Sequence, residues 1–336
     1  MTSRIVRRDF LRITVVSALS VAAPNLGCGS DDDSEPRSRP LPPLPDDPDT
    51  LRVFPQGVAS GDPNPSSVLF WTRVEPATAG DVSVKYEVAT DLGFQSIVAQ
   101  GNVSALADSD NTVRLKVENL HSSTTYYFRF SAEGAESPIG RTRTAPAPDR
   151  DTPVKFAFAS CQDFVGRYYH AWRALLEQGP DVDFVLYLGD YIYETDGDPS
   201  FQTPTDQRKI VLPDGLELGP DSRAALTLAD YRSLYKQFRS DRNLQRAHQL
   251  FPFIAIWDDH EFGNDCWQDH TTHFSDRQGD EKNPEQRDAA SRAWFEYQPA
   301  DVTYNPEASY PDRIRIYRKL RYGKHVELFM TDQRYY

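Results

Sequence analysis

Three short apolar runs each stop at side chains able to bind a metal, and no other feature of the chain limits its fold so strongly. Val154-Lys155-Phe156-Ala157-Phe158-Ala159 leads into Ser160-Cys161-Gln162, and Asp183-Phe184-Val185-Leu186-Tyr187-Leu188 into Gly189-Asp190. Phe253-Ile254-Ala255-Ile256-Trp257 leads into Asp258-Asp259-His260-Glu261. Runs this short and this apolar read as strands, and the one at 183–188 as a buried strand. Between and around them, residues 168–178, 226–239 and 242–250 carry helical spacing, as in Ala171 with Leu175 or Trp172 with Leu176. Strands alternating with helices predict an α/β sheet with flanking helices. Ligands of such sheets gather beyond the carboxyl ends of the strands, so endings far apart in sequence converge on one crevice.

Upstream the pattern changes. Residues 68–72, 83–88 and 112–117 are apolar or alternate at period two, which predicts strands. Residues 124–130, shortly after Leu120, look like the late strand of a fibronectin-type sandwich, where a tyrosine hydrogen-bonds back to the preceding corner. The segment 52–146 is therefore expected to be a small all-β sandwich, without a catalytic cluster of its own. Ala145-Pro146-Ala147-Pro148-Asp149 punctuates its end, and the α/β part is expected over 150–336.

Residues 1–27 read as an address. SRIVRRDFLR (3–12) sets Arg7 and Arg8 ahead of Phe10 and Leu11, and an uncharged run, 13–23, follows. That run is too short for a bilayer, which needs about 20 apolar residues. The layout is that of a twin-arginine signal, so the expected partner is that export machinery and the destination periplasmic or extracellular. Because this route carries folded proteins, it hints at a cofactor fitted before export. Asn25-Leu26-Gly27-Cys28 resembles a lipoprotein cleavage site, which makes Cys28 a candidate lipid anchor, although Asn25 stands where an apolar residue is usual. The acidic, proline-rich stretch 28–51 is expected to be a linker.

A net charge of −13 excludes nucleic-acid binding through a broad basic surface. An anionic substrate would then need local cations, for which carboxylates are suitable hard ligands. Each candidate ligand has a plainer reading. Asp190 alone is an ordinary strand-end carboxylate. Tyr193 is either core packing or a phenolate on a strongly acidic metal such as Fe(III). Cys161 is either a small buried hydrophobe or a thiolate ligand. Four ionisable groups at 258–261 are costly after an apolar strand unless solvated or paired. Among them His260 can ligate metal, orient phosphate or protonate a leaving group. Asn264 is a neutral oxygen ligand, and His270 and His273 read as loop surface. Arg167 and Arg334 are equal candidates for a phosphate contact. Cys28, Cys161 and Cys266 are too few for a fold built on disulfides.

Six stretches taken together resemble one family. FPQGVASGDPNPSSVLFWTR (54–73), FAFASCQ (156–162), LYLGDYIYE (186–194), LADYRSLYKQF (228–238), PFIAIWDDHEFGND (252–265) and MTDQRYY (330–336) are similar, in order and approximate spacing, to the PhoD-type alkaline phosphatases/phosphodiesterases. GDYIYE with WDDHE is far more specific than any single metal motif. The resemblance implies a metallophosphoesterase-like core behind the sandwich, acting as a monomer on phosphate mono- or diesters. It implies a mixed Fe(III) and Ca(II) site, with Cys161 and Tyr193 on iron and Asp190 bridging the metals. Asn264 or Asp259 would serve the calcium. The expected chemistry is in-line attack by a metal-bound water or oxide, with His260 on the phosphate or leaving group. The family continues beyond MTDQRYY with an Asp and a His in a Gly-Asp-x-His-like element. The chain is therefore expected to be a fragment with a partial site, an exposed hydrophobic sheet edge, poor expression and weak diesterase activity. A purple-acid-phosphatase-like monoesterase is disfavoured by Cys161, where that group has Asp. The reading from another class is a lipid-anchored surface binding protein with an inactive phosphatase domain.

Overall fold

Among the described residues, strand pairing gives two larger sheets and three small ones of two or three strands. The computed structural model describes residues 40–179, 181–271, 281–309 and 311–335, all within a single unit. Arg7, Arg8, Cys28 and His273 lie outside the described residues.

The chain enters along prolines. Helix α1 (Pro48–Val53) starts where the Asp47 carboxylate caps the amide of Asp49 and Pro48 occupies the first turn. Residues 40–51 thus differ from the linker expected of them. The reason is that proline carbonyls are still good acceptors: those of Pro42 and Pro43 take hydrogen bonds from Arg246, and that of Pro40 from Tyr127. Strands β1 (Val58–Gly61) and β2 (Val68–Arg73) are buried along their whole length. Next come β3 (Val82–Ala89), β4 (Ile97–Ala105), β5 (Thr112–Val117), β6 (Thr125–Ala132), β7 (Ala135–Glu136) and β8 (Gly140–Arg143). One sheet has the order β4-β3-β6-β7, with β8 also on β6, and it faces β5-β2-β1. Phe70 and Phe128 meet between the two, their ring centroids 4.4 Å apart. The Tyr126 hydroxyl accepts the His121 amide at 2.8 Å, the corner bond expected of this strand.

The second half supplies β9 (Phe156–Ala159), α2 (His170–Gln178), β10 (Phe184–Tyr187), β11 (Thr195–Asp196), β12 (Leu216–Gly219) and β13 (Ser222–Ala224). It continues with α3 (Leu228–Phe238), α4 (Arg242–Leu250), β14 (Pro252–Ala255), β15 (His270–Thr271) and β16 (Glu281–Lys282). Helix α5 (Pro284–Tyr297), β17 (Arg318–Tyr322) and β18 (Val326–Met330) complete the described elements. Strands β9, β10 and β14 run parallel, and β14 pairs in parallel with β1 as well. The resulting six-stranded sheet has the order β5-β2-β1-β14-β10-β9, so strands from both sides of the Ala145–Asp149 punctuation share one sheet. The fold is mixed α/β. Small residues in β1 permit this join, since a Cβ on Gly61 would stand 1.8 Å from the Pro299 carbonyl oxygen. Strand β9 forms one edge, where Phe158 is 70% exposed.

Candidate metal centre

Parallel pairing puts the carboxyl ends of β9, β10 and β14 along one side of the sheet, and backbone bonds carry the register beyond them. The Cys161 and Gln162 amides donate to the carbonyls of Gly189 and Asp190. Gly189 is needed where the two later loops touch. Its φ is +101°, and a Cβ there would lie 2.4 Å from the Asp258 nitrogen. Cys161 and Asp190 also adopt left-handed backbone, at φ +60° and +55°. Such conformations in non-glycine residues cost about 1–3 kcal/mol and concentrate at functional sites.

These turns bring the candidate ligands together. Ligand atoms of Asp190, Asp259 and His260 lie within 4.8 Å of one another. The Cys161 thiol is 3.2 Å and the Tyr193 hydroxyl 3.4 Å from Oδ2 of Asp190. The Tyr193 ring packs on His260 with centroids 4.1 Å apart. Asn264 reaches the same region through its backbone, which donates to Glu194 at 2.7 Å, while its side-chain amide faces Asp265. Arg334 pairs with Asp258 at 2.6 Å and Asp259 at 3.4 Å, whereas Arg167 donates to the carbonyl of Phe201, whose ring packs on Tyr193 and His260. His270 stacks on Trp267. Cys161 and Cys266 are free thiols.

Electrostatics make this cluster unfavourable without a cation. Burial lifts the Asp190 carboxyl to about 6, against the opposing pull of His260 and with a further push from Asp259. Burial likewise raises the Cys161 thiol to about 11 and holds the Tyr193 phenol far above its usual value. For His260, burial disfavours the imidazolium, but the Glu194 carboxylate outweighs it and the group sits at about 10. Within this group Oδ1 of Asp190 is buried and has no hydrogen-bond partner. A carboxylate, a thiol and a phenol that all resist deprotonation, grouped around an unsatisfied oxygen, fit a bound cation, which reverses each of those preferences.

Three further acids take roles that the sequence did not assign: Glu194 and Glu261, read there only as members of their motifs, and the half-buried Asp163. Glu194 bonds Nδ1 of His260 at 2.7 Å. Glu261 accepts the amides of Asp190, Tyr191 and Asp258 at 3.1, 2.6 and 2.8 Å. Asp163, lifted to about 6 by burial, has Oδ2 unpartnered. Glu194 closes the GDYIYE motif and Glu261 belongs to the ionisable group at 258–261, but no spacing pointed to their partners, and Asp163 carried no signal. Similarly, Asp332 of the terminal motif accepts the Trp257 indole at 3.0 Å, which braces the end of β14.

Comparisons with known proteins point to one family. Residues 156–336 match the family described as PhoD-like phosphatase, and residues 43–146 its N-terminal domain. Alkaline phosphatase D of Bacillus subtilis (strain 168) is 35% identical over 292 residues, covering 84% of this chain and 47% of that protein. A solved structure of PhoD superposes with a TM-score of 0.73 at 34% identity, covering 85% of this chain and 53% of the other. The chain therefore spans about half the length of these relatives.

Proposed function

The chain belongs to the PhoD-like phosphatase family, and from that premise we propose that it is a metal-dependent hydrolase of phosphate mono- or diesters. The observation that carries this reading is the grouping of Asp190, Asp259 and His260 at the carboxyl ends of parallel strands, with Cys161 and Tyr193 on the Asp190 carboxylate. We infer that Cys161 and Tyr193 would hold Fe(III), that Asp190 would serve both metals, and that Asp259 or Asn264 would serve Ca(II). Asp259 has its carboxylate in the cluster, and Asn264 is the alternative, its side-chain NH2 donating to Asp265 and its Oδ1 being the candidate ligand atom. Bound cations would neutralise the ester's negative charge and supply a water made nucleophilic near neutral pH.

The protein's own groups do the rest. His260 donates Nδ1–H to Glu194, which leaves Nε2 for the phosphate or the departing oxygen. Arg334 orients Asp258 and Asp259 through its ion pairs. Export by the twin-arginine route, lipid attachment at Cys28 and a monomeric state complete the proposal, with residues 52–146 forming a fibronectin-like sandwich ahead of the catalytic part. The test is hydrolysis of p-nitrophenyl phosphate and bis-p-nitrophenyl phosphate with added Fe(III) and Ca(II). His260→Ala is expected to slow turnover by about 100-fold or more. Equal rates with and without metal would count against the reading.

A further inference from the structure

The two ligand-bearing loops hold each other through buried glutamates, one contributed by each loop. Glu194 follows β10 and reaches across to the loop after β14. Its Oε2 meets Nδ1 of His260 at 2.7 Å, and its Oε1 accepts the Asn264 amide at 2.7 Å. Glu261 follows β14 and reaches the opposite way. Its Oε1 accepts the Tyr191 amide, and its Oε2 accepts those of Asp190 and of Asp258 in its own loop. Both side chains are buried, at 0% and 1% exposure. We propose that Glu194 and Glu261 form a reciprocal brace that sets the separation of Asp190 from Asp259 and His260. They act as positioning residues, and the proposal rests on reading that cluster as the metal site.

The chemistry favours carboxylate at both positions. Only a group with two equivalent acceptors satisfies three converging N–H donors at Glu261, because a glutamine would turn an NH2 toward one of them. These bonds tie the Asp190–Tyr191 backbone to the loop after β14 and so hold Asp190 in its left-handed conformation. At Glu194, one oxygen fixes the His260 ring through Nδ1 while the other fixes the backbone four residues later. An outer acceptor of this kind determines which way a ligand points, and its loss typically weakens metal binding 10–100-fold.

The test uses Glu261→Gln and Glu194→Gln, both nearly isosteric. In metal-free protein, E261Q is expected to speed amide exchange at Asp190, Tyr191 and Asp258 at least tenfold, and E194Q at Asn264. Amides in α3 and α5 should exchange as in the wild type. Calorimetric titration with Ca2+ should show affinity falling by about 10–100-fold in each variant. Unchanged exchange at these amides, or acceleration spread equally through α3 and α5, would overturn the brace, as would full Ca2+ affinity in both variants. Should E261Q fail to fold, E194Q carries the same test from the other loop. Wild-type protein that binds no Ca2+ would instead sink the calcium assignment, with the exchange pattern still deciding the brace.

Discussion

Asp190 concentrates the conflict on which the site is built. Its carboxylate is buried, one oxygen lacks a partner, and Asp259 adds like charge nearby. Its carboxyl titrates near 6 in the folded protein, above its ordinary 3.8. The metal-free folded chain therefore holds an extra proton between those values, and stability falls as pH rises through that window. Urea midpoints of metal-free protein are expected to drop from about pH 4 to about pH 6, and Asp190→Asn should shrink the drop. An undiminished slope in D190N would show that Asp190 is not its source. With a cation bound the sign reverses, because the ionised form becomes the favoured one.

Individual elements differ in how openly their sequence declares them. Helix α3, read from its spacing, proves to be closed by a full capping box. Thr227 and Asp230 cap each other's backbone, and Asp230 also takes the amides of Asp214 and Leu226. Thr227→Ala should therefore cost about 1 kcal/mol in denaturant unfolding, and a change near zero would mean that Asp230 alone caps the helix. The strands β9, β10 and β14 were legible because apolar runs ended abruptly at ionisable residues. Strand β1 was not, since Val58-Ala59-Ser60-Gly61 alternates neither in size nor in polarity. Its glycine, Gly61, answers to the Pro299 backbone, a neighbour far away in sequence. The roles of Glu194 and Glu261 were hidden for a related reason. A carboxylate that accepts backbone amides from another loop leaves no spacing pattern, whereas Cys161, Asp190 and His260 stood directly at strand ends.

At the scale of the molecule, the shared sheet couples the two family-matched segments. Besides the β1–β14 pairing, the Trp71 indole donates to the Glu296 carbonyl. Arg239 stacks over the Trp71 ring at 4.2 Å. Asp62, just past β1, binds Arg318 of β17 through both oxygens, at 2.6 and 2.8 Å. These contacts predict one calorimetric unfolding transition for the described unit, and an isolated 150–336 segment without cooperative unfolding. Two separate transitions would contradict that coupling. The most direct test of the account is metal content per chain, measured on purified wild-type and D190N protein after exposure to Fe(III) and Ca(II) and removal of free ions. The account predicts stably bound metal in the wild type and its loss in D190N. Wild-type protein without metal, or D190N retaining as much as the wild type, would contradict it.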